Sequence, residues 1–225
     1  MELLIRIVQT LGRDVKLTLK AGASQFKKWQ KVIWGSLSLI IVMTFFMLPH
    51  DAHWLEIVQS VDNDFIHQLS RQLSYWGDFP TGTVIVFAVL FLSGYAFKNE
   101  KLRRGAMTCL LAAAIAGILT YSLKLTIGRP RPSAEKPDGA YGLRMDGNYH
   151  GFPSGHSATA MGTTTALAVV YPSAAVPILI AGSSVGWSRM MLDRHHPTDV
   201  LVGGYLGVIS ALVIGLGTRK HLESS

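Results

Sequence analysis

Six apolar stretches, at residues 31–48, 80–97, 105–124, 156–172, 174–192 and 199–217, limit what this chain can become. Each approaches the roughly 20 residues a helix needs to cross the hydrocarbon core of a bilayer. Charged residues make up 16% of the chain, where a soluble domain carries about 25%. The pattern predicts an integral membrane protein. The fourth stretch is rich in Ala, Thr and Gly, which suits close helix packing more than lipid contact, and Gly203 and Gly207 form a GxxxG in the sixth. No internal repeat or low-complexity linker divides the chain. The expected layout is one membrane domain over 32–217, a basic segment over 1–31 and a polar tail over 218–225.

The first 31 residues lack the uninterrupted apolar core of a secretory signal, because Arg6, Arg13, Lys16, Lys20, Lys27, Lys28 and Lys31 recur through them. Leu4, Val8, Leu11 and Val15 fall on one helical face. The segment therefore reads either as a basic amphipathic helix on an anionic leaflet or as a solvated tail. Alternating spans put thirteen Lys and Arg on the side of the termini and eight on the other, which directs the termini to the cytoplasm. Between the first two spans, Leu55, Val58, Val61, Phe65, Leu69 and Leu73 recur at helical spacing, as in an interfacial helix capping the bundle. The single cysteine, Cys109, lies in an apolar run and allows neither a disulfide framework nor a cysteine-based zinc site.

Three polar clusters fall on the side opposite the termini: "KLTIGRPRP" (Lys124 to Pro132), "GFPSGHSATA" (Gly151 to Ala160) and "SRMMLDRHHPTDV" (Ser188 to Val200). Singly, each has a structural explanation. Lys124, Arg129 and Arg131 could snorkel at a helix end, Pro153-Ser154-Gly155 could be a turn with a helix N-cap, and His195 with Asp199 could be a surface pair. Together they form one chemical object. Lys124, Arg131 and Arg189 can surround a multiply charged anion, and the N–H groups opening the fourth span add donors where the helix dipole favours negative charge. Two histidines from different loops supply a nucleophile and a proton donor, and Asp199 can orient one of them. This describes a phosphoryl-transfer site without a metal, since no carboxylate cluster among the motifs offers Mg²⁺ a seat.

The three clusters resemble the signature of the type 2 phosphatidic acid phosphatase (PAP2) superfamily. That signature has a lysine, six residues and Arg-Pro; then Pro-Ser-Gly-His; then Ser-Arg, five residues, His, three residues and Asp. Here it reads Lys124 with Arg131-Pro132, Pro153 to His156, and Ser188-Arg189 with His195 and Asp199. The match is ungapped and covers roughly 32–217 on a six-span layout. The resemblance implies an all-α bundle of six transmembrane helices, acting as a membrane lipid phosphatase without cofactor or metal.

It further implies a role for each residue. His195 is the nucleophile that becomes phosphohistidine, and only His195 has both the arginine six residues before it and the aspartate four after. Asp199 is its orienting partner, and His156 is the general acid and later base. Lys124, Arg131, Arg189, Ser154 and the N–H of Gly155 are the phosphate cradle. Arg129 and Arg194 are extra cations, either for a second phosphate or lipid headgroup or as plain surface charge. The partners expected are a phosphorylated lipid and the membrane, with no nucleic acid and no obligatory protein partner. Phosphotransfer to a second lipid and non-catalytic lipid binding remain as alternatives. A bacterial inner membrane, with the site facing the periplasm, is the expected location.

Overall fold

The computed structural model describes residues 1–223, and among them every regular element is helical. Eight α-helices follow in order: α1 (Glu2–Met47), α2 (Asp51–Gln59), α3 (Asp64–Gly77), α4 (Ile85–Ala96), α5 (Glu100–Ile127), α6 (Gly155–Val170), α7 (Ala175–Met191) and α8 (Pro197–Glu223). A π-helical turn, Phe79–Val84, leads into α4. Helices α1, α4 (with its π-turn), α5 and α8 are long and apolar enough to cross a membrane. Helices α6 and α7, at 16 and 17 residues, are shorter than that standard.

Local chemistry sets the helix ends. Asn63, Asn99 and Ser154 cap α3, α5 and α6, each side-chain oxygen accepting a backbone N–H three residues on. Gly128 ends α5 in the left-handed conformation, where an added Cβ would collide with the carbonyl oxygen of Gly142. That glycine turns the chain so that the loop from Tyr141 to Arg144 folds back along α5, donating to the carbonyls of Gly128, Ile127 and Leu125.

Helix α6 is the centre of the bundle, packed against α5, α7 and α8. Its small residues permit this: Gly162 abuts the backbone of Ala112 and Ala113 on α5. The GxxxG of α8 faces α6, where a Cβ on Gly203 or Gly207 would strike the backbone of Ser154 or Ala158. The close approach replaces side-chain volume with backbone contact.

The N-terminal segment is helical and continuous with the first span. At 1.5 Å per residue, α1 is about twice as long as the hydrocarbon core is thick. The expected apolar face divides: Leu11 and Val15, joined by Ile7, pack against Phe91, Ala106 and Met107, whereas Leu4 and Val8 stay exposed. Buried Asp14 anchors the segment through Arg103, at 3.2 Å. At the other end α8 runs to Glu223, so most of the expected polar tail is helix; residues 224 and 225 lie outside the described residues.

Residues 51–79 depart from the single capping helix that their periodicity predicts. Ser60 to Asn63 break the segment, because extended Asn63 starts a new helix. Both pieces are fastened to the functional end of the bundle. Gln59 donates to the carbonyl of Met190 and to Asp193, at 2.9 and 3.1 Å, and Thr159 of α6 donates to the carbonyl of Gly77, at 2.7 Å.

Candidate active site

The three sequence clusters converge at the end of the bundle where α5 and α7 finish and α6 and α8 begin. Lys124, in the last turn of α5, is buried and donates to the carbonyl of His150 at 2.7 Å. Its Cε lies 3.6 Å from where a Cβ on Gly155 would stand, so its stem runs beside the opening turn of α6. Arg189, in the last turn of α7, is buried, donates to the hydroxyl of Ser74, and leaves its Nε without a protein partner. The Nε of Arg131 is likewise buried and unpartnered. Three cations thus converge with donor capacity to spare, at a helix N-terminus that favours anions.

His156 is in the first turn of α6, and its titratable neighbours are Arg189, His195, Lys124 and Arg131. His195 sits in the loop between α7 and α8 and is 2% exposed. Its Nδ1 lies 2.6 Å from the carbonyl oxygen of Gly151. A carbonyl can only accept, so Nδ1 carries the proton and the neutral ring keeps its lone pair on Nε2. Burial pushes the pKa of this imidazole from 6.5 down to about 3; Asp199 opposes the shift, while Lys124 and Arg189 reinforce it. The ring is uncharged at neutral pH, as a nitrogen nucleophile must be.

Asp199 relates to His195 differently from the expected direct hydrogen bond. Its Oδ2 is 3.7 Å from Nδ1 of His195 and instead accepts the backbone N–H of His196, at 2.7 Å. Its Oδ1 accepts from Arg129, also at 2.7 Å. Both oxygens are therefore claimed elsewhere. Asp199 acts on His195 through its field, and the direct acceptor is Gly151, whose own N–H donates to the carbonyl of Arg129 at 2.8 Å.

Arg129 is neither a headgroup ligand nor a surface charge. It is 4% exposed and at the centre of a buried ionic cluster. Its guanidinium donates to Asp199, to Asp51 at 2.9 Å, to the hydroxyl of Thr198 at 2.9 Å and to both oxygens of Asp138, at 2.6 and 2.7 Å. Asp51 also accepts from the N–H of Thr198 at 3.0 Å and from its hydroxyl. A planar fork with five N–H donors can satisfy several carboxylates at once, which lysine cannot. Burial alone would raise the pKa of Asp138, but the hydrogen bond and charge of Arg129 hold it below the usual carboxylate range.

Ser154 is fully buried and turned toward its own helix. Its Oγ accepts from the N–H of Ser157 at 3.3 Å and from the Ser157 hydroxyl at 2.9 Å. The side chain fixes the opening of α6 as its N-cap, and in both of these bonds its oxygen is the acceptor. Asp51 and Ser74 escaped the motif reading because they come from the segment read as a cap. A carboxylate directly at the end of a membrane span is the one local signal that Asp51 offered.

Three converging cations, a buried neutral histidine and a second histidine, gathered at the ends of membrane helices, suit a membrane enzyme to phosphoryl chemistry. The PAP2 superfamily model matches residues 105–221, more than half of the chain, and the protein belongs to that superfamily. A lipid A 1-phosphatase of Rhizobium johnstonii is 27% identical over 203 residues, covering 84% of this chain and 80% of that one. The undecaprenyl-diphosphatase BcrC of Bacillus subtilis is 24% identical, over 59% of this chain and 65% of its own. Among solved structures, a transmembrane PAP2-type phosphatidylglycerolphosphate phosphatase from Bacillus subtilis aligns with a TM-score of 0.63 at 16% identity, covering 84% of this chain and 94% of that one. Aquifex aeolicus LpxE aligns with a TM-score of 0.55 at 20% identity, covering 73% and 93%.

Proposed function

We propose that this membrane phosphatase hydrolyses the phosphate monoester or diphosphate of a lipid through a phosphohistidine on His195. The observation that carries the reading is the Nδ1–H of His195 donated to the Gly151 carbonyl, which leaves Nε2 as the free nucleophile. Nε2 attacks phosphorus, an N–P bond forms, and the P–O bond to the lipid breaks with its electron pair on the departing oxygen. His156 protonates that oxygen. In the second half the neutral His156 takes a proton from water, the hydroxide attacks phosphorus, and the N–P pair returns to His195 as inorganic phosphate departs. Lys124, Arg131, Arg189 and the N–H groups opening α6 offset the charge that gathers on the phosphoryl oxygens.

The substrate candidates are undecaprenyl diphosphate, phosphatidylglycerol phosphate, phosphatidic acid and a lipid A phosphate, the chemistry named for several relatives. The location we propose is a bacterial inner membrane with the site at the periplasmic leaflet, supported by the excess of Lys and Arg on the terminus side. Six crossings, with α6 and α7 as short spans inside the bundle, are part of the same reading.

The test uses purified protein, those four lipids and an activated aryl phosphate. His195→Ala loses turnover on every substrate and gives no phenolate burst. His156→Ala still releases about one phenolate per enzyme from the aryl phosphate, then stalls with acid-labile phosphate on the protein, because an activated leaving group departs unprotonated. A burst from His195→Ala, or none from His156→Ala, overturns the assigned roles.

A further inference from the structure

Beside the reaction centre is a polar cavity of about 590 Å³, reached by Arg189 and His156 from the cradle and by His67, Arg71, Asp78 and Arg194 from outside it. His67, Arg71, Ser74 and Asp78 recur at steps of four, three and four, so one face of α3 and its C-cap forms the wall. Arg71 and Arg194 are exposed into this space, and neither pairs with a carboxylate among the described residues. Asp78 is the one carboxylate on the lining, and His67 has Asp62 3.5 Å from its Nδ1. The cradle arginine that opens onto the cavity, Arg189, is 8% exposed with its Nε unpartnered. Positive charge is thus in excess over acceptors here, and Arg71 brings its share from a helix that contributes nothing to the three sequence motifs.

Phe65, Leu69 and Trp76, on nearly the opposite face of α3, are exposed at 72%, 38% and 54%. With Arg71 and His67 on one side and bare apolar residues on the other, α3 has the amphipathic character of an interfacial helix. It is also fixed to the site: Gly77 abuts Val185 of α7, and Ser74 accepts from Arg189.

We propose that Arg71 and Arg194, with His67, form a second anion subsite that binds a phosphate adjacent to the scissile one, so that the preferred substrate is a lipid diphosphate. The proposal rests on the phosphatase reading above. The terminal phosphate occupies the Lys124, Arg131 and Arg189 cradle, and the lipid-proximal phosphate lies against α3, nearer the bilayer. When His195 attacks the terminal phosphorus, the bridging P–O bond breaks and its electron pair goes to the lipid monophosphate. Arg71 and Arg194 face the charge that this leaving group gains, so it departs with less need of a proton from His156.

The experiment compares a polyprenyl diphosphate with the polyprenyl monophosphate of the same tail, in detergent micelles. The readout is the ratio of kcat/KM for the two lipids. In Arg71→Gln/Arg194→Gln that ratio falls about tenfold or more, as the loss of two charge-assisted contacts requires. Lys136→Gln, an exposed cation outside the cavity, keeps the ratio. In parallel, inorganic pyrophosphate inhibits the wild-type protein more tightly than inorganic phosphate, and the double variant loses that preference. If the wild-type protein hydrolyses both lipids and the double variant leaves the ratio and the pyrophosphate preference intact, the subsite is wrong and the phosphatase reading stands. If the wild-type protein hydrolyses neither lipid nor any of the four named above, the phosphatase reading falls and the subsite falls with it.

Discussion

Arg129 and Arg131 are two residues apart and do opposite things. Arg129 is saturated: three carboxylates and a hydroxyl take its donors, and it joins the start of α2, the loop after α5 and the first turn of α8. Arg131 is left wanting, with a buried Nε that no protein group accepts. The same contrast separates the two halves of the site. One half is a closed ionic cluster that holds Asp199, Thr198 and the Gly151 backbone in place. The other is a group of basic side chains with donors that no protein group accepts. Charge near a membrane surface is therefore no guide to function until its acceptors are counted.

Removing Arg129 should produce the largest effect. Arg129→Met leaves Asp51 and Asp199 buried without their cation, and breaking such a pair costs about 3–5 kcal/mol. A large fall in detergent melting temperature and in folded yield is expected, together with lost activity. Asp51→Asn in the same chain should recover part of the stability, because it removes one of the stranded charges. A variant that melts like the wild type would put Arg129 among the ligand-binding cations after all.

Arg131→Ala tests the other half. Losing one preorganised donor to a transition-state oxyanion costs on the order of 10²–10³ in kcat, while melting should change little because no carboxylate or carbonyl is stranded by its loss. Lost stability with kept kcat would erase the distinction between the two arginines.

A smaller effect comes from pH. Between about 3 and the ordinary 6.5, unfolded His195 binds a proton that the folded protein refuses. Stability therefore falls as pH is lowered through that window, by about 1.6 kcal/mol from pH 6.5 to 5 for a single such group. The melting temperature followed over this range should drop, and less steeply in His195→Gln. The smallest effect is at Asp138, which is half-exposed. Asp138→Asn keeps most of the shape and leaves Arg129 its two buried carboxylates, so a loss of about 1 kcal/mol or less is expected in the same melting assay.

Much of the site was legible because its chemistry is written in short spacings. Lys124 to Pro132, Pro153 to His156 and Ser188 to Asp199 each lie within one loop and its adjoining helix turns, and residue type with spacing was enough to read them together. Asp51 was not legible. Its partners Arg129 and Thr198 are 78 and 147 residues away, and Ser74 is 115 residues from Arg189. The break between α2 and α3 was missed for a different reason: the apolar period runs on past Asn63, although a cap residue can interrupt a helix without disturbing that period.

By itself, then, the sequence determined that this chain is a membrane protein of helices, and that its three polar clusters fall together at one end of the bundle. Those properties follow from hydropathy and from residues a helix turn or a loop apart. The tertiary structure alone decided which arginine is spent and which is free, and that Gly151, not Asp199, accepts the proton of His195. It also decided that α3 brings Arg71 beside the cradle. Each of these depends on how many acceptors surround a donor in three dimensions, and that number is set by helix packing across most of the chain.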